Sequence, residues 1–144
     1  MKIIVYTDGA CDDIYAGNGT QDGSWCCIIK FGDKEKIVTG IAKKTTRQRM
    51  GVSGLLMCFP YLLNNDIEEI EIVSGLRYVV FGINNRQKWL KKKSIANADL
   101  WYPLYDLIRK HTPKVCATCP IGTNNRLTSE RCNSIAQKIL SERI

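Results

Sequence analysis

Three carboxylates near the start of the chain are the first side chains that could do chemistry. Asp8 follows the apolar run Ile-Ile-Val-Tyr, and Asp12 and Asp13 come shortly after it in a segment rich in glycine, aspartate and asparagine. Carboxylate oxygens are the ligands that Mg²⁺ prefers in proteins. We expect these three side chains to hold at most one divalent ion, and to hold it loosely.

A dense group of cations lies in the second half of the chain. Five basic residues fall within eight positions, together with one tryptophan and no acidic residue. The group consists of Arg86, Lys88, Trp89, Lys91, Lys92 and Lys93. Basic side chains beside an aromatic ring can contact phosphates and stack on bases. The alternative is a solvated helix face whose tryptophan packs into the core, and we favour phosphate contact.

A pair of cysteines has the spacing of zinc ligands. Cys116 and Cys119 are separated by two residues, with His111 before them and Cys132 after them. A closed zinc site needs four converging ligands, whereas thiols on strands commonly act as small hydrophobic groups. We therefore expect reduced core thiols and no structural zinc.

The composition is that of a globular protein with an excess of positive charge. The chain has 144 residues, 44% of them hydrophobic, and a net charge of +7. Residues 67–144 carry 13 basic and 7 acidic groups, against 8 and 7 in residues 1–66. This excess favours polyanions such as nucleic acid, although it also keeps a small domain soluble.

The sequence offers no membrane span and no secretion signal. No apolar run approaches the length needed to cross a bilayer, and the first residues form a strand pattern that ends in a charge. A signal peptide would instead end in small residues at a cleavage site. We expect an intracellular protein with no membrane partner.

The hydrophobic patterns predict one α/β domain over residues 1–144. Strands are predicted over 2–8, 24–31, 36–42, 69–74 and 115–118, and helices over 48–63, 76–82, 85–93, 98–111 and 127–143. A Gly-Asp-Lys turn before the third strand indicates an antiparallel hairpin. The fourth strand follows a helix, which indicates a parallel crossover. Pro60 is expected to bend or end the first helix.

Several short motifs, in order along nearly the whole chain, resemble the signature segments of type 1 ribonuclease H. They are Thr7-Asp8-Gly9-Ala10-Cys11, Gly23-Ser24-Trp25, Gln48-Arg49-Met50, Arg77-Tyr78-Val79-Val80-Phe81-Gly82-Ile83, Asp99-Leu100-Trp101 and Glu130-Arg131-Cys132-Asn133-Ser134-Ile135-Ala136. The resemblance implies an RNase H-like α/β fold. In that fold a five-stranded mixed sheet, with three antiparallel and then two parallel strands, is flanked by helices.

The resemblance also implies a catalytic set that this chain does not reproduce. Family members use four carboxylates, in the order D-E-D-D, to hold two divalent ions, and a histidine on a mobile loop. Only the first acid is present, as Asp8, and the other positions hold Gly51, Gly75, Thr123 and Asn133. No carboxylate lies between Glu35 and Asp66 to replace the missing glutamate. We expect the family reaction to be absent and no cofactor to be bound, with Mg²⁺ relevant only to residual activity.

The predicted function is therefore that of a degenerate RNase H-like pseudoenzyme. It would bind an RNA/DNA hybrid or double-stranded RNA, without cleaving it, in the groove where the family binds its substrate. Arg47, Gln48 and Arg49 stand where the family's polar residues reach into the minor groove, and they join the cation group as candidate binding residues. One alternative is a protein-interaction module with a protein partner. Another is a weak residual metal-dependent nuclease built on Asp8.

Overall fold

Five strands and five helices make up the part of the chain that the computed structural model describes, which is residues 1–12, 21–62, 66–111 without the side chain of His111, and 114–142. The strands are β1 (Lys2–Cys11), β2 (Gln21–Phe31), β3 (Lys34–Thr45), β4 (Glu69–Ser74) and β5 (Lys114–Thr118). The helices are α1 (Arg47–Cys58), α2 (Arg77–Asn84), α3 (Arg86–Leu90), α4 (Ala98–His111) and α5 (Arg126–Glu142). The predicted element order is confirmed.

The strands form one mixed sheet in the order β3-β2-β1-β4-β5. The pairs β1–β2 and β2–β3 are antiparallel, and the pairs β1–β4 and β4–β5 are parallel. This confirms the predicted arrangement of three antiparallel strands followed by two parallel ones. Thr7 of β1 pairs with Ser74, the last residue of β4. Asp8 and Gly75, the residues that follow them, therefore lie side by side at the same end of the sheet.

Side chains that alternate along β1 and β2 fill two separate cores, because successive residues of a strand face opposite sides of the sheet. Val5 and Cys27 face the larger core under α1, α2 and α4. Tyr6 and Cys26 face the smaller core under α5. The helix layers therefore enclose the sheet on both faces and leave the edge that carries Asp8 open.

Four buried thiols are divided between these two cores. Cys27 Sγ lies 2.7 Å from Cys58 Sγ of α1. On the other face, Cys132 Sγ of α5 lies 3.2 Å from the carbonyl oxygen of Cys26. Burial raises the pKa of the Cys27 thiol well above its ordinary value. These four cysteines are therefore small core residues.

The first helix is shorter than its hydrophobic pattern predicts. Thr46 caps it, because the side chain of Thr46 accepts a hydrogen bond of 3.1 Å from the backbone N–H of Arg49. The α-helix ends at Cys58, and a single turn of 3-10 helix follows at Phe59–Leu62. Pro60 lies in that turn, and it has no N–H with which to continue the α-helical hydrogen bonds.

Several other boundaries differ from the prediction by a few residues. β1 continues to Cys11, and β2 begins at Gln21, because Cys11 pairs with Gly23 across the sheet. β3 continues to Thr45, which pairs with Gln21. The turn residues at these positions are polar, so their extended conformation depends on the partner strand and not on a hydrophobic pattern. Within the described ranges, no helix is long and apolar enough to cross a membrane.

An aromatic cluster closes the larger core below α2 and α4. The ring of Trp101 is fully buried and lies 5.7 Å from Tyr78, 5.4 Å from Trp89 and 5.4 Å from Tyr105, between centroids. Trp101 Nε1 donates a hydrogen bond of 2.8 Å to the Tyr78 hydroxyl. Gly82 packs directly against the Trp101 ring. The cluster anchors α4 to α2, next to the cation group of α3.

Candidate active site

Asp8 is a buried carboxylate near the end of β1. Its side chain is 4% exposed, and Oδ1 accepts a hydrogen bond of 2.8 Å from the backbone N–H of Gly9. The same oxygen lies 3.2 Å from Nη2 of Arg47, the first residue of α1. Arg47 Nε also donates to the carbonyl oxygen of Gly9 at 3.0 Å. Asp8 is therefore held by the backbone of its own strand and by a guanidinium from the neighbouring helix.

The close approach of β1 and α1 depends on Gly9. A Cβ atom at this position would lie 2.6 Å from Met50 Cβ and 2.9 Å from the carbonyl oxygen of Arg47. Both distances are too short for a side chain, so only glycine lets the helix start pack on the strand. This contact places the Arg47 side chain beside Asp8.

Burial raises the pKa of Asp8 above its ordinary value of 3.8. The Gly9 N–H, the Arg47 guanidinium and a hydrogen bond from Asn133 oppose this effect without cancelling it. Desolvation disfavours a charged carboxylate, whereas donors and cations favour it. A raised pKa makes the carboxylate a better proton acceptor than a solvated aspartate.

A cleft of about 830 Å³ opens above Asp8. Asn133 of α5 and Gly75, which follows β4, line it beside Asp8 and Arg47. Its other polar and charged lining residues are Asp12, Arg126, Ser129, Glu130, Ser134, Gln137 and Ser141. Three carboxylates therefore share this cleft, two of them from positions outside the family's aligned set. Asp13, the third acid of the predicted loose site, lies outside the described residues.

The side chains of this cleft do not fit the family's pair of divalent ions. Among the residues that the structure describes, no three His, Cys, Asp or Glu side chains come close enough to hold a metal together. Asp8 is paired with Arg47, and Glu130 is 3.4 Å from the Nε of Arg126. A two-ion site needs several converging carboxylates, and here the neighbouring positions present glycine, asparagine and arginine.

Gly51 and Gly75, which stand at positions of the family's carboxylates, differ in the space around them. A Cβ atom at Gly75 would meet only Asp8 Oδ2, at 3.8 Å, so that position is open. A Cβ atom at Gly51 would lie 2.6 Å from Leu76 Cδ1 and 2.9 Å from Val79 Cγ2. Gly51 is therefore a packing residue of α1 against α2, and its glycine has a structural reason that Gly75 lacks.

This difference predicts opposite outcomes for two alanine substitutions. Gly51→Ala should destabilise the protein by about 1–2 kcal/mol through overpacking, despite the better helix propensity of alanine. Gly75→Ala, at an exposed position, should stay within about 0.5 kcal/mol of the original protein. Urea denaturation of both variants measures this. Equal midpoints for the two variants would contradict the assignment of Gly51 to packing.

The three polar residues at the start of α1 have different surroundings. Arg47 lines the cleft, as described above. Gln48 is exposed. Arg49 donates to Asp99 at 3.0 and 2.6 Å and to Asn97 at 3.1 Å. The guanidinium of Arg49 thus ties α1 to α4, and hydrogen bonds to Asp99 raise its pKa. The predicted role of all three in nucleic-acid binding stays a prediction, with Arg47 and Gln48 the better placed.

The cation group lies on and after the short helix α3. Trp89 is half-buried and packs 5.4 Å from Trp101, so it belongs to the aromatic cluster. Lys92 Nζ lies 5.9 Å from the centre of the Trp89 ring, and Arg86 donates to the carbonyl oxygen of Ile83 at 2.8 Å. Lys88, Lys91, Lys92 and Lys93 are exposed. None of these four has a salt bridge with another described residue, so they keep their charge available for phosphates.

The remaining positions singled out in the sequence do not join the cleft. Thr123 lies in the turn before α5, where its hydroxyl donates to the carbonyl oxygen of Pro120 at 2.7 Å. Cys116 is exposed on β5, whereas Cys132 is buried under α5. The expected core position of Cys116 is therefore wrong, because Cys116 alternates along β5 with Val115 and Ala117, and it is those two side chains that are buried in the larger core.

Sequence reasoning missed Glu130 and Arg126 as cleft residues. A usable signal was present, because Glu130 is three residues before Asn133 on a predicted helix, and residues at that spacing share a face. Asp12 was noticed only as a loose metal ligand. The ion pair between Arg47 and Asp8 had no sequence signal, since it joins residues 39 positions apart.

Comparisons with known proteins agree with the fold. The sequence profile of the RNase H family matches residues 1–119. The ribonuclease H of Clostridium botulinum is 29% identical to this chain, covering 98% of it and 97% of the relative. The ribonuclease H of Syntrophomonas wolfei is 30% identical, covering 96% of each. The structure of LC11-RNase H1 in complex with an RNA/DNA hybrid has a TM-score of 0.69 and 14% identity, covering 96% of this chain and 99% of that one.

These relatives contradict the prediction of a pseudoenzyme. They match almost the full length of the chain and carry the name of an enzyme, so the prediction of a degenerate protein that binds nucleic acid without cleaving it is wrong. The prediction weighed the aligned positions together with Asp12 and Asp13, and it did not consider Glu130. The folded chain brings Asp12 and Glu130 to the same cleft as Asp8, so missing aligned acids do not imply a cleft without carboxylates.

The fold, the position of Asp8 and the sequence match lead to one assignment. The sheet order places Asp8 on the central strand, beside the end of its parallel neighbour, and the matching profile covers most of the chain. The chain belongs to the RNase H family.

Proposed function

We propose that this protein is a ribonuclease that hydrolyses the RNA strand of an RNA/DNA hybrid bound across the Asp8 cleft. The observation that carries the proposal is the open cleft that Asp8, Asp12 and Glu130 line, in a chain of the RNase H family. The relatives named ribonuclease H support the reaction class. The complex of LC11-RNase H1 with an RNA/DNA hybrid supports the substrate.

The chain's own residues account for two requirements of phosphodiester hydrolysis. As water attacks phosphorus its proton passes to Asp8, a carboxylate whose pKa burial raises, which suits proton acceptance. The bond from phosphorus to the leaving oxygen breaks, and that oxygen takes up a proton from solvent. The duplex must also be held in place, and the exposed lysines next to the aromatic cluster can contact its backbone. Because the cleft does not fit the family's pair of ions, we assign no step to a metal.

A cleavage assay with four substrates tests the proposal. A labelled RNA strand is presented in a hybrid, in double-stranded RNA and alone, and a DNA duplex is the fourth substrate, with Mg²⁺, Mn²⁺ or EDTA. We expect product from the hybrid and at least about tenfold less from the other three, because a hybrid differs from them in groove shape and 2′-hydroxyl content. Equal cleavage of the hybrid and single-stranded RNA would contradict the proposed substrate. A lack of hybrid product under all three conditions would contradict the reaction.

Neutralising the exposed lysines should weaken hybrid binding in a salt-dependent way. In the triple variant with Lys91, Lys92 and Lys93 changed to glutamine, the slope of log affinity against log salt should fall by about 0.9 for each phosphate that the variant no longer neutralises. Fluorescence anisotropy at several salt concentrations measures the slope.

The matched control changes three exposed lysines outside the cation group. Lys34, Lys110 and Lys114 are exposed, and both Lys34 of the β2–β3 hairpin and Lys114 at the start of β5 lie away from Asp8. Their triple glutamine variant makes the same change in net charge. Equal slopes for the two triple variants would show that the cation group acts only through net charge.

A further inference from the structure

Arg47 is the basic side chain that contacts the carboxylate at the floor of the cleft. Its guanidinium is held by two acceptors, with Nε 3.0 Å from Gly9 O and Nη2 3.2 Å from Asp8 Oδ1. A guanidinium has five N–H groups, and the described residues accept two of them from Arg47. The side chain is 40% exposed and lines the cleft. Arg47 thus has a fixed position and N–H groups left to donate.

The charge around Asp8 is compensated within the chain. A site with four clustered carboxylates repels a phosphate until divalent ions neutralise it. In this cleft Gly75 and Asn133 carry no charge. The charge of Asp8 is matched by Arg47 at 3.2 Å and that of Glu130 by Arg126 at 3.4 Å, and Asp12 is the other acidic side chain of the cleft. A backbone phosphate that enters the cleft would therefore contact the guanidinium of Arg47 beside Asp8, whose charge Arg47 already balances. Arginine suits this contact because two of its N–H groups can bind one phosphate together.

We propose that Arg47 binds a backbone phosphate of the nucleic acid in the Asp8 cleft, and that as the permanent counter-cation of Asp8 it makes this contact without a divalent ion. The inference rests on the proposed function for the identity of the ligand as an RNA/DNA hybrid. It assigns to Arg47 a binding role at the centre of the site, in addition to any contact in the minor groove. It also explains how the cleft can hold a polyanion although its residues do not fit a pair of ions.

Hybrid binding by Arg47 variants tests the inference without reading activity. Anisotropy is measured in EDTA and in Ca²⁺, which takes oxygen ligands as Mg²⁺ does. The original protein should bind with dissociation constants that agree within about threefold in the two buffers. Arg47→Gln should weaken binding in EDTA about tenfold, the loss expected for a charge-assisted hydrogen bond. Arg47→Lys keeps the positive charge but lacks the paired N–H groups of a guanidinium. Its dissociation constant in EDTA should lie between those of the original protein and Arg47→Gln.

Two further variants separate binding from folding. Arg109 forms an exposed ion pair with Asp106 at 2.9 Å. Arg109→Gln therefore removes one arginine charge outside the cleft, as Arg47→Gln does inside it, and should change affinity less than about twofold. Arg47→Gln leaves the charge of Asp8 buried and unpaired, which could unfold the site. The double variant Asp8→Asn with Arg47→Gln removes that charge as well and should still bind about tenfold more weakly than Asp8→Asn alone.

The outcomes distinguish this inference from the proposed reaction. Arg47 variants that bind like Arg109→Gln would overturn the inference, and so would a loss of binding by the original protein in EDTA. Weaker binding by both Arg47 variants supports it, whether or not cleavage product forms. Failure of the proposed function instead shows as absent hybrid cleavage with the Arg47 effect intact.

Discussion

Replacing Asp8 with asparagine is expected to reduce cleavage of an RNA/DNA hybrid by at least about 100-fold, the lower range for loss of a general base. Asparagine has the same shape but cannot accept a proton from water. The side chain is 4% exposed at the floor of the cleft, so bulk solvent cannot supply a replacement group at that point. Single-turnover cleavage of the labelled RNA strand measures the effect.

The control for this prediction makes the same chemical change elsewhere. Asp33 is exposed in the hairpin between β2 and β3, at the opposite end of the sheet from Asp8. Asp33→Asn should cleave the hybrid at the original rate within about twofold, as expected for a surface change far from the site. Cleavage by Asp8→Asn within about threefold of the original rate would contradict the assignment of the reaction to this cleft.

The same variant has a predictable effect on stability. Because burial raises the pKa of Asp8 above 3.8, the folded protein binds this proton more tightly than the unfolded chain does. The stabilisation from Asp8 is therefore fully present below pH 3.8 and is lost as the pH rises through the folded-state pKa. Asparagine stays neutral at every pH, so the stability of Asp8→Asn should not fall as the pH rises through this pKa. Thermal melts at acidic and neutral pH should show a flatter profile for the variant, and parallel profiles would contradict the raised pKa.

Replacing Trp101 with alanine is expected to destabilise the protein by about 4 kcal/mol. The ring is fully buried, contacts three other aromatic rings and donates a hydrogen bond to Tyr78. Alanine would leave a cavity between α2 and α4, where the Trp101 ring packs against Gly82. For a domain with total stability of about 5–15 kcal/mol, this loss is a large fraction.

Urea denaturation of Trp101→Ala measures the loss as a shift in the midpoint at constant slope. Tyr102→Ala is the matched control, because Tyr102 is the next residue of α4 and is 37% exposed. That variant should lose less than about 1 kcal/mol. Equal losses for the two variants would show that α4 is not anchored by the aromatic cluster.

Much of the fold was predictable because its signals are local. The bounds of β4 and α4 agree with their hydrophobic patterns, and Pro60 marks the end of α1 through its missing N–H. Strand ends such as Cys11 and Thr45 were not predictable, because polar residues become extended there only by pairing with a neighbouring strand. Predictions based on periodicity succeed where burial is periodic and fail where a partner strand determines conformation.

The candidate site shows the same division. The sequence alone identified Asp8, its strand, and the glycines and asparagine at the aligned positions, and these were enough for the family resemblance. It also led to the wrong conclusion that activity is lost, because an alignment considers one position at a time. Asp12 directly follows β1 and was already a candidate beside Asp8, whereas Glu130 enters the cleft from α5, which only the folded chain reveals.

What the sequence determined about this protein is its element order, its α/β class and the position of Asp8 on its first strand, since all three depend on neighbouring residues in the chain. The tertiary structure alone decided that Arg47 pairs with Asp8, that Arg49 is bound to Asp99, and that Gly51 is a packing residue while Gly75 is open. The physical reason is range. Side chains 39 to 50 positions apart meet only after β1, α1 and α4 pack together, and that packing leaves no periodic trace in the sequence.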